Sequence, residues 1–303
     1  MTGIKRTRTF AIKKQVFMNS LVSNKVYIFV LILSITFYVI STSCNRKTKS
    51  NNYEVVFDSI QINKMESIDY KQSKINCNLH IMFKYPVGCS DISMLDDLQS
   101  IFIDKFFPPQ FVNLSPKEAL ENYSDQYIKD FKSIKVEDYF DEDYILEDEN
   151  AFLYELFLEN EIIYNQNNII SFVVKSTNYE GGAHGSNSIC GYVIDLNTGK
   201  ILSEENFAGI NYKKNLSPIL AYKIAEAKGL NNASELENSG YQSVDDIFPN
   251  ENFTIDDKGI TYYFNEYEIA AYYVGITEVF IPYVELKSFI TKDNPISLLA
   301  GLK

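Results

Sequence analysis

The sequence predicts an α+β fold in which helices pack on an antiparallel sheet, built in two parts that share a core. Three observations predict it: apolar residues alternating with polar ones, Asn/Asp/Gly turns that join such runs in pairs, and helical periodicity confined to the segments between the pairs. The 303 residues are 46% hydrophobic, enough for one large core or two small ones.

From the N-terminus, Val26 to Ile40 reads VYIFVLILSITFYVI, an uncharged run that follows Lys25 and a basic leader and ends in Ser41, Thr42, Ser43 and Cys44. That is the order of a secretory signal. A Cys after small residues resembles a lipobox, with Cys44 as the lipid-bearing new N-terminus, although Ser41 stands where an aliphatic residue is usual. Met18 is an equally good start. The rival is an uncleaved anchor, since the 18 residues from Val26 to Ser43 can just span a bilayer. Either way residues 1–44 form the leader and the remainder is expected outside the cytoplasm, membrane-anchored in the cell envelope. Residues 45–52, NRKTKSNN, read as a short polar tether, and folding starts near Tyr53.

Ile75, Cys77, Leu79, Ile81, Phe83 and Tyr85 alternate with polar residues, as a strand with one buried face requires. Pro86 and Gly88 are expected to end it. A helix follows with Ile92, Leu95, Leu98, Ile101 and Phe102 at helical spacing, and a second starts at the cap Ser115, with Pro116 next and Glu118 three residues on, running to about Ile134. Two β-rich runs, Phe152 to Tyr164 and Ile169 to Tyr179, form a hairpin across Asn165–Asn168. Ile189 to Leu196 is a further strand closed by the turn Asn197-Thr198-Gly199-Lys200. Tyr212 to Lys228 is helical up to Gly229. Asn252–Asp256 and Ile260–Phe264 form another hairpin, a last strand lies near Thr277–Ile281, and Pro282 opens a final helix to about Ile290.

Charge is uneven. Six of the 28 basic residues precede Cys44 with no acid among them, leaving 22 against 40 acidic ones in the rest, a balance of −18. Such a surface repels nucleic acid and attracts cationic partners. The densest acidic stretch, EDYFDEDYILEDE from Glu137 to Glu149, reads as a solvated loop or as an acidic, aromatic contact surface for a basic protein, with Tyr139, Asp141, Glu142, Asp143 and Tyr144 as candidate contacts. It lacks the spacing and the bend glycine of a calcium loop. Cys77 and Cys89 either pair or, with Cys190, serve as small buried hydrophobes.

The sequence offers no catalytic signature. His80 and His184 are its two histidines, outside any HExxH pair, so a zinc hydrolase is not expected. No GxSxG elbow occurs, and a carboxylate pair has no sequence signature among 40 acids. No cofactor or metal is expected. The segment Tyr179–Gly185, YEGGAHG, is the place that invites a site, because its glycines permit positive φ and close backbone approach. Two readings stand: His184 held in a pocket, or, favoured, His184 bonding the backbone to fix a tight crossover.

NYEGGAHG, VIDLNTGKIL and YYFNEYEIAAYYVGITEVFIPYVEL, in that order, resemble the C-terminal domain of the anti-sigma-V lysozyme-receptor ectodomains of RsiV type. This domain of unknown function, numbered 3298, also accompanies some peptidoglycan deacetylases. The resemblance covers about Tyr179 to Ile290 and places the family pattern on Gly181, Gly182, His184, Gly185, Asp195, Thr198, Gly199, Tyr267, Ile269, Ala270, Tyr272, Gly275, Pro282 and Tyr283. Ala271 and Tyr273 depart from it, where Pro and a small residue are usual. The resemblance implies a two-part ectodomain, a companion region over residues 53–178 and the RsiV-like domain over 179–303, without the deacetylase domain. It further implies a binder whose partner is a basic, lysozyme-like muramidase or cell-wall glycan. An envelope hydrolase and an anti-sigma-type transmembrane receptor are the alternatives, the second lacking a recognisable sigma-gripping segment.

Overall fold

A computed structural model describes residues 53–71, 73–135, 153–292 and 294–302. The apolar run Val26–Ile40, Cys44, the tether and the acidic stretch with Tyr139, Asp141, Glu142, Asp143 and Tyr144 lie outside the described residues. Among the described residues no helix is long and apolar enough to cross a membrane.

The larger sheet has six strands in sequence order: β1 (Val55–Tyr70), β2 (Ser73–Cys89), β3 (Tyr154–Gln166), β4 (Ile169–Glu180), β5 (Ser186–Asp195) and β6 (Lys200–Ile201). The predicted alternation holds in β2, where Ile75, Cys77, Leu79, Ile81 and Phe83 are buried while their neighbours are half-exposed. Contrary to expectation, Pro86 and Gly88 do not end the strand. β2 continues to Cys89 through a bulge opposite Val56 and Phe57, beyond Met82, the last β2 residue paired with β3. There the strand needs ladder donors on one side only, so a missing N–H is tolerated. Cys77 and Cys89 therefore sit twelve residues apart on one strand, about 40 Å at strand rise, which rules out the bridge between them. Cys77, Cys89 and Cys190 are free thiols.

All neighbouring strands run antiparallel except β2 and β3, which are parallel. A parallel pair needs a long crossover, and α1 (Leu95–Phe106) and α2 (Pro116–Lys132) lie within it. α2 starts as its sequence dictates: the Ser115 hydroxyl accepts the Glu118 N–H while the Glu118 carboxylate accepts the Ser115 N–H. The β3–β4 hairpin closes on Asn167 and Asn168, both left-handed, with φ of 54° and 61°, the conformation that a two-residue hairpin turn demands and Asn tolerates.

β4 is buried on both faces, so its apolar run is continuous rather than alternating. On one face Ile170, Phe172 and Val174 meet α1 and α2 in an aromatic core, with Phe102 stacked on Phe172 at 4.3 Å and Phe83 packed on Phe106 at 4.6 Å. On the other, Ile169 and Val193 join a second core made by α3 (Glu204–Ala208), α4 (Tyr212–Ala227) and a three-stranded sheet of β7 (Phe253–Ile255), β8 (Gly259–Phe264) and β9 (Thr277–Pro282). The two parts thus share the β4–β5 sheet, with an apolar layer on each side. The helix expected from Pro282 to Ile290 is the single turn α5 (Tyr283–Leu286). The chain then bends to bury Ile290 and bond Thr291 N–H to the Phe207 carbonyl, and a further helix, α6 (Pro295–Leu299), follows.

Candidate functional site

The β4–β5 connection carries the glycine-rich segment. Gly181 and Gly182 take positive φ, 79° and 98°, and the Tyr179 hydroxyl donates to the Gly182 carbonyl at 2.7 Å. Gly185 serves close approach instead: a Cβ there would stand 2.9 Å from the Asn178 carbonyl oxygen. His184 is exposed. Its Nδ1 lies 3.1 Å from the Gly185 carbonyl oxygen, in keeping with the backbone-fixing role, but its ring also stacks on Tyr272 at 4.1 Å.

Tyr272 stacks in turn with Tyr267, centroids 5.5 Å apart and planes 28° from parallel, and donates its hydroxyl to the Gly185 carbonyl at 2.9 Å. Desolvation, with Glu266 and Tyr267 nearby, raises its phenol pKa, so it remains a donor. Residues eighty or more apart in sequence are thus brought into one aromatic stack. Tyr267 is held there by the turn Asn265–Glu268, in which Glu268 N–H donates to the Asn265 carbonyl and its carboxylate accepts the Asn265 N–H.

The residue before Tyr267, Glu266, lines an open groove of about 370 Å³ together with Lys175, Thr177, Asn187, Ile189 and Gly275, among others. Cross-strand pairing sets Lys175 opposite Ile189 and Thr177 opposite Asn187. Asn187 is the hub: its amide Oδ1 accepts from Thr177 at 2.9 Å, its Nδ2 donates to Glu266 Oε1 at 2.9 Å, and its backbone N–H donates to Glu266 Oε2 at 3.1 Å. Lys175 is paired with Glu161 at 2.8 Å, the bond that chiefly raises its pKa.

The remaining pattern residues fasten the fold. The Asp195 carboxylate accepts from Asn197 N–H and lies within reach of the Thr198 hydroxyl, closing the turn that contains Gly199. Ile269 and Ala270 are buried, with the Ile269 carbonyl accepting Gln242 N–H and Ala270 bridging Tyr241. After Pro282, the Tyr283 hydroxyl donates to the Asp256 carbonyl, and burial pushes its pKa up. His80 is elsewhere, on β2, against Asn63 of β1 and Phe157 of β3. Among the described residues no group of three or more His, Cys, Asp or Glu could hold a metal ion.

Sequence reasoning missed two features. Lys175, Asn187 and Glu266 come together only by sheet pairing and a long-range turn; the switch of β4 from the apolar run Ile169–Val174 to the polar run Lys175–Asn178 is the available signal. The buried pair Glu204 and Tyr262, discussed below, leaves none.

A sheet shared by two apolar layers, with its functional candidates on an open surface of stacked rings and polar side chains, defines a two-part α+β module. The chain belongs to the DUF3298 family of proteins of unknown function. A crystal structure of a family member from Bacteroides fragilis NCTC 9343 matches with 30% identity and a TM-score of 0.73, over 82% of this chain and 98% of that one. The family model itself, "Protein of unknown function (DUF3298)", matches residues 202–284, and a second model, "Deacetylase PdaC", matches residues 46–187. A DUF3298 family protein from Pseudomonas aeruginosa PAO1 shares the fold at 14% identity, with a TM-score of 0.52 over 78% of this chain and 95% of that one. No curated protein matches.

Proposed function

We propose that the protein is a membrane-tethered, extracytoplasmic binding module of the cell envelope, and that its partner is cell-wall glycan. The observation that carries this reading is the stack of His184, Tyr272 and Tyr267, exposed at its two outer rings and half-buried at Tyr272, aromatic surface that the two cores do not use and whose Tyr267 follows Glu266 of a polar groove. Aromatic rings displayed with polar neighbours are contact surfaces for ligands that are apolar on one face and hydroxylated at the rim. The match to the deacetylase model over residues 46–187 favours a wall-directed role. The signal-like Val26–Ile40 run and Cys44 favour export and lipid tethering; mass spectrometry of the mature N-terminus is expected to find a lipid-modified Cys44, and residues 1–43 retained would replace it with the transmembrane reading.

The test is sedimentation of the purified full chain with insoluble peptidoglycan sacculi, with release of soluble fragments assayed in parallel. Saturable co-sedimentation without fragment release is expected. Absence of binding sinks the glycan reading, and steady fragment release replaces the binder with a hydrolase. The net charge of −12 favours a second reading, a basic muramidase as partner, through long-range attraction.

A further inference from the structure

Tyr267 has a backbone that a bulky side chain rarely adopts, φ 66°, and yet the residue is 61% exposed. Left-handed backbone at such a residue is strained, and no burial of the residue offsets that cost. What the conformation secures is aim. The ring is braced by Tyr272, which is itself stacked on His184 and tied to the Gly185 carbonyl. An aromatic side chain fixed in this way loses little freedom on binding a flat ligand.

The residue before it, Glu266, lines the groove. Its carboxylate accepts two bonds from Asn187, which leaves lone pairs for further donors, since a carboxylate offers about four acceptor sites. Glu266 also sits in the Asn265–Glu268 turn that carries Tyr267, so one turn supplies both the groove wall and the ring. Lys175, the groove's cation, is already neutralised by Glu161. The site therefore presents a ring face, amide and carboxylate acceptors and no free cation on the wall, a set that suits an uncharged ligand rich in O–H and N–H donors with one apolar face. A pyranose has that chemistry, its axial C–H bonds forming the face that stacks on an aromatic ring.

We propose that Tyr267 and the groove walled by Asn187 and Glu266 form a subsite for an uncharged pyranose chain, one sugar stacking on the phenol while its hydroxyl or acetamido groups bond Glu266 and Asn187. This rests on the reading of the chain as a glycan-binding module and names the subsite and the ligand class.

Chitotetraose is the probe, titrated into the full chain by calorimetry, with thermal unfolding followed on each variant. Tyr267→Gly removes the ring and relieves the left-handed backbone, so its melting temperature is expected to match or exceed that of the parent while affinity falls roughly tenfold or more, the scale of one lost aromatic contact. Tyr267→Phe keeps the stacking face and is expected to stay within about threefold. Unchanged affinity in the folded Tyr267→Gly variant overturns the subsite. A parent that sediments with sacculi but does not bind chitotetraose overturns the ligand class and leaves the module standing, whereas failure with both removes the functional reading as well.

Discussion

Glu204 is the residue most at odds with its surroundings. It is fully buried at the start of α3, where its Oε1 accepts the Glu251 N–H at 3.0 Å and its own N–H donates to Glu251 Oε2 at 2.9 Å. Its second oxygen has no hydrogen-bond partner, and neither has the buried Tyr262 hydroxyl; that hydroxyl lies near enough to perturb the carboxyl without the geometry of a bond. Burial, reinforced by the charge on Glu251 and opposed by the Glu251 N–H, Tyr262 and Lys213, pushes the pKa of Glu204 up to about 7 from an ordinary 4.5. Between those values the native state holds a proton that the unfolded chain has released. Stability is therefore greatest below the unfolded pKa and falls as pH rises to about 7, by about 3 kcal/mol in all for a shift of this size. Glu204→Gln, neutral throughout, should flatten that part of the profile. Melting temperatures of parent and variant from pH 4.5 to 8 check it, and parallel curves would mean that the carboxyl is ionised in the folded protein.

At the scale of elements, the outer edge of β5 shows how the sheet is closed. Among the described residues, 186–192 have no strand partner on that side, because β6 pairs only with Ile194 and Asp195 and the Leu202 N–H reaches no further than the Val193 carbonyl. Side chains substitute for the missing strand: Asn252 accepts the Gly191 N–H at 2.6 Å, Asn265 accepts the Ile189 N–H at 2.8 Å, and both amides donate to the Ile189 carbonyl. Asn252→Ala leaves buried backbone groups unpaired and uncaps an edge, so a loss of roughly 1–3 kcal/mol is expected in chemical denaturation, with a greater tendency to self-associate. This device was not legible in the sequence, since nothing local distinguishes a capping Asn252 from a turn Asn sixty residues from the strand it completes. What was legible is what local chemistry decides: the alternation of β2, the Asn turn after β3, the capping box of α2. Pro86 misled for the same reason in reverse, because a breaker acts only where the backbone needs the bond it removes; Pro282 does open a helix, but nothing local fixes where that helix stops. The site was half legible. The glycine turn and the tyrosines stood out as a pattern, but Lys175, Asn187 and Glu266 acquire a common purpose only when β4, β5 and the Asn265–Glu268 turn meet.

For the molecule as a whole, charge and aromatic surface predict different behaviour and so discriminate between the two partners. A chain of net charge −12 would attract a basic muramidase, if that is its partner, through a field that salt shortens to about 8 Å at physiological ionic strength and about 3 Å at 1 M. Stacking of an uncharged sugar on Tyr267 does not depend on that field, because neither ligand nor ring carries charge and Lys175 is already paired. If an uncharged glycan is the ligand, chitotetraose binding at 50 mM and 500 mM salt should agree within about twofold, while any association with a basic lysozyme should weaken by roughly tenfold or more over the same range. The same titration carried out with the Tyr267→Gly variant separates the surfaces further. Loss of chitotetraose binding with lysozyme association intact would place the two interactions on different faces of the protein, the first on the β4–β5 groove and the second on its acidic exterior. Simultaneous loss would mean that a single surface serves both, and that the wall enzyme and the wall polymer compete for it.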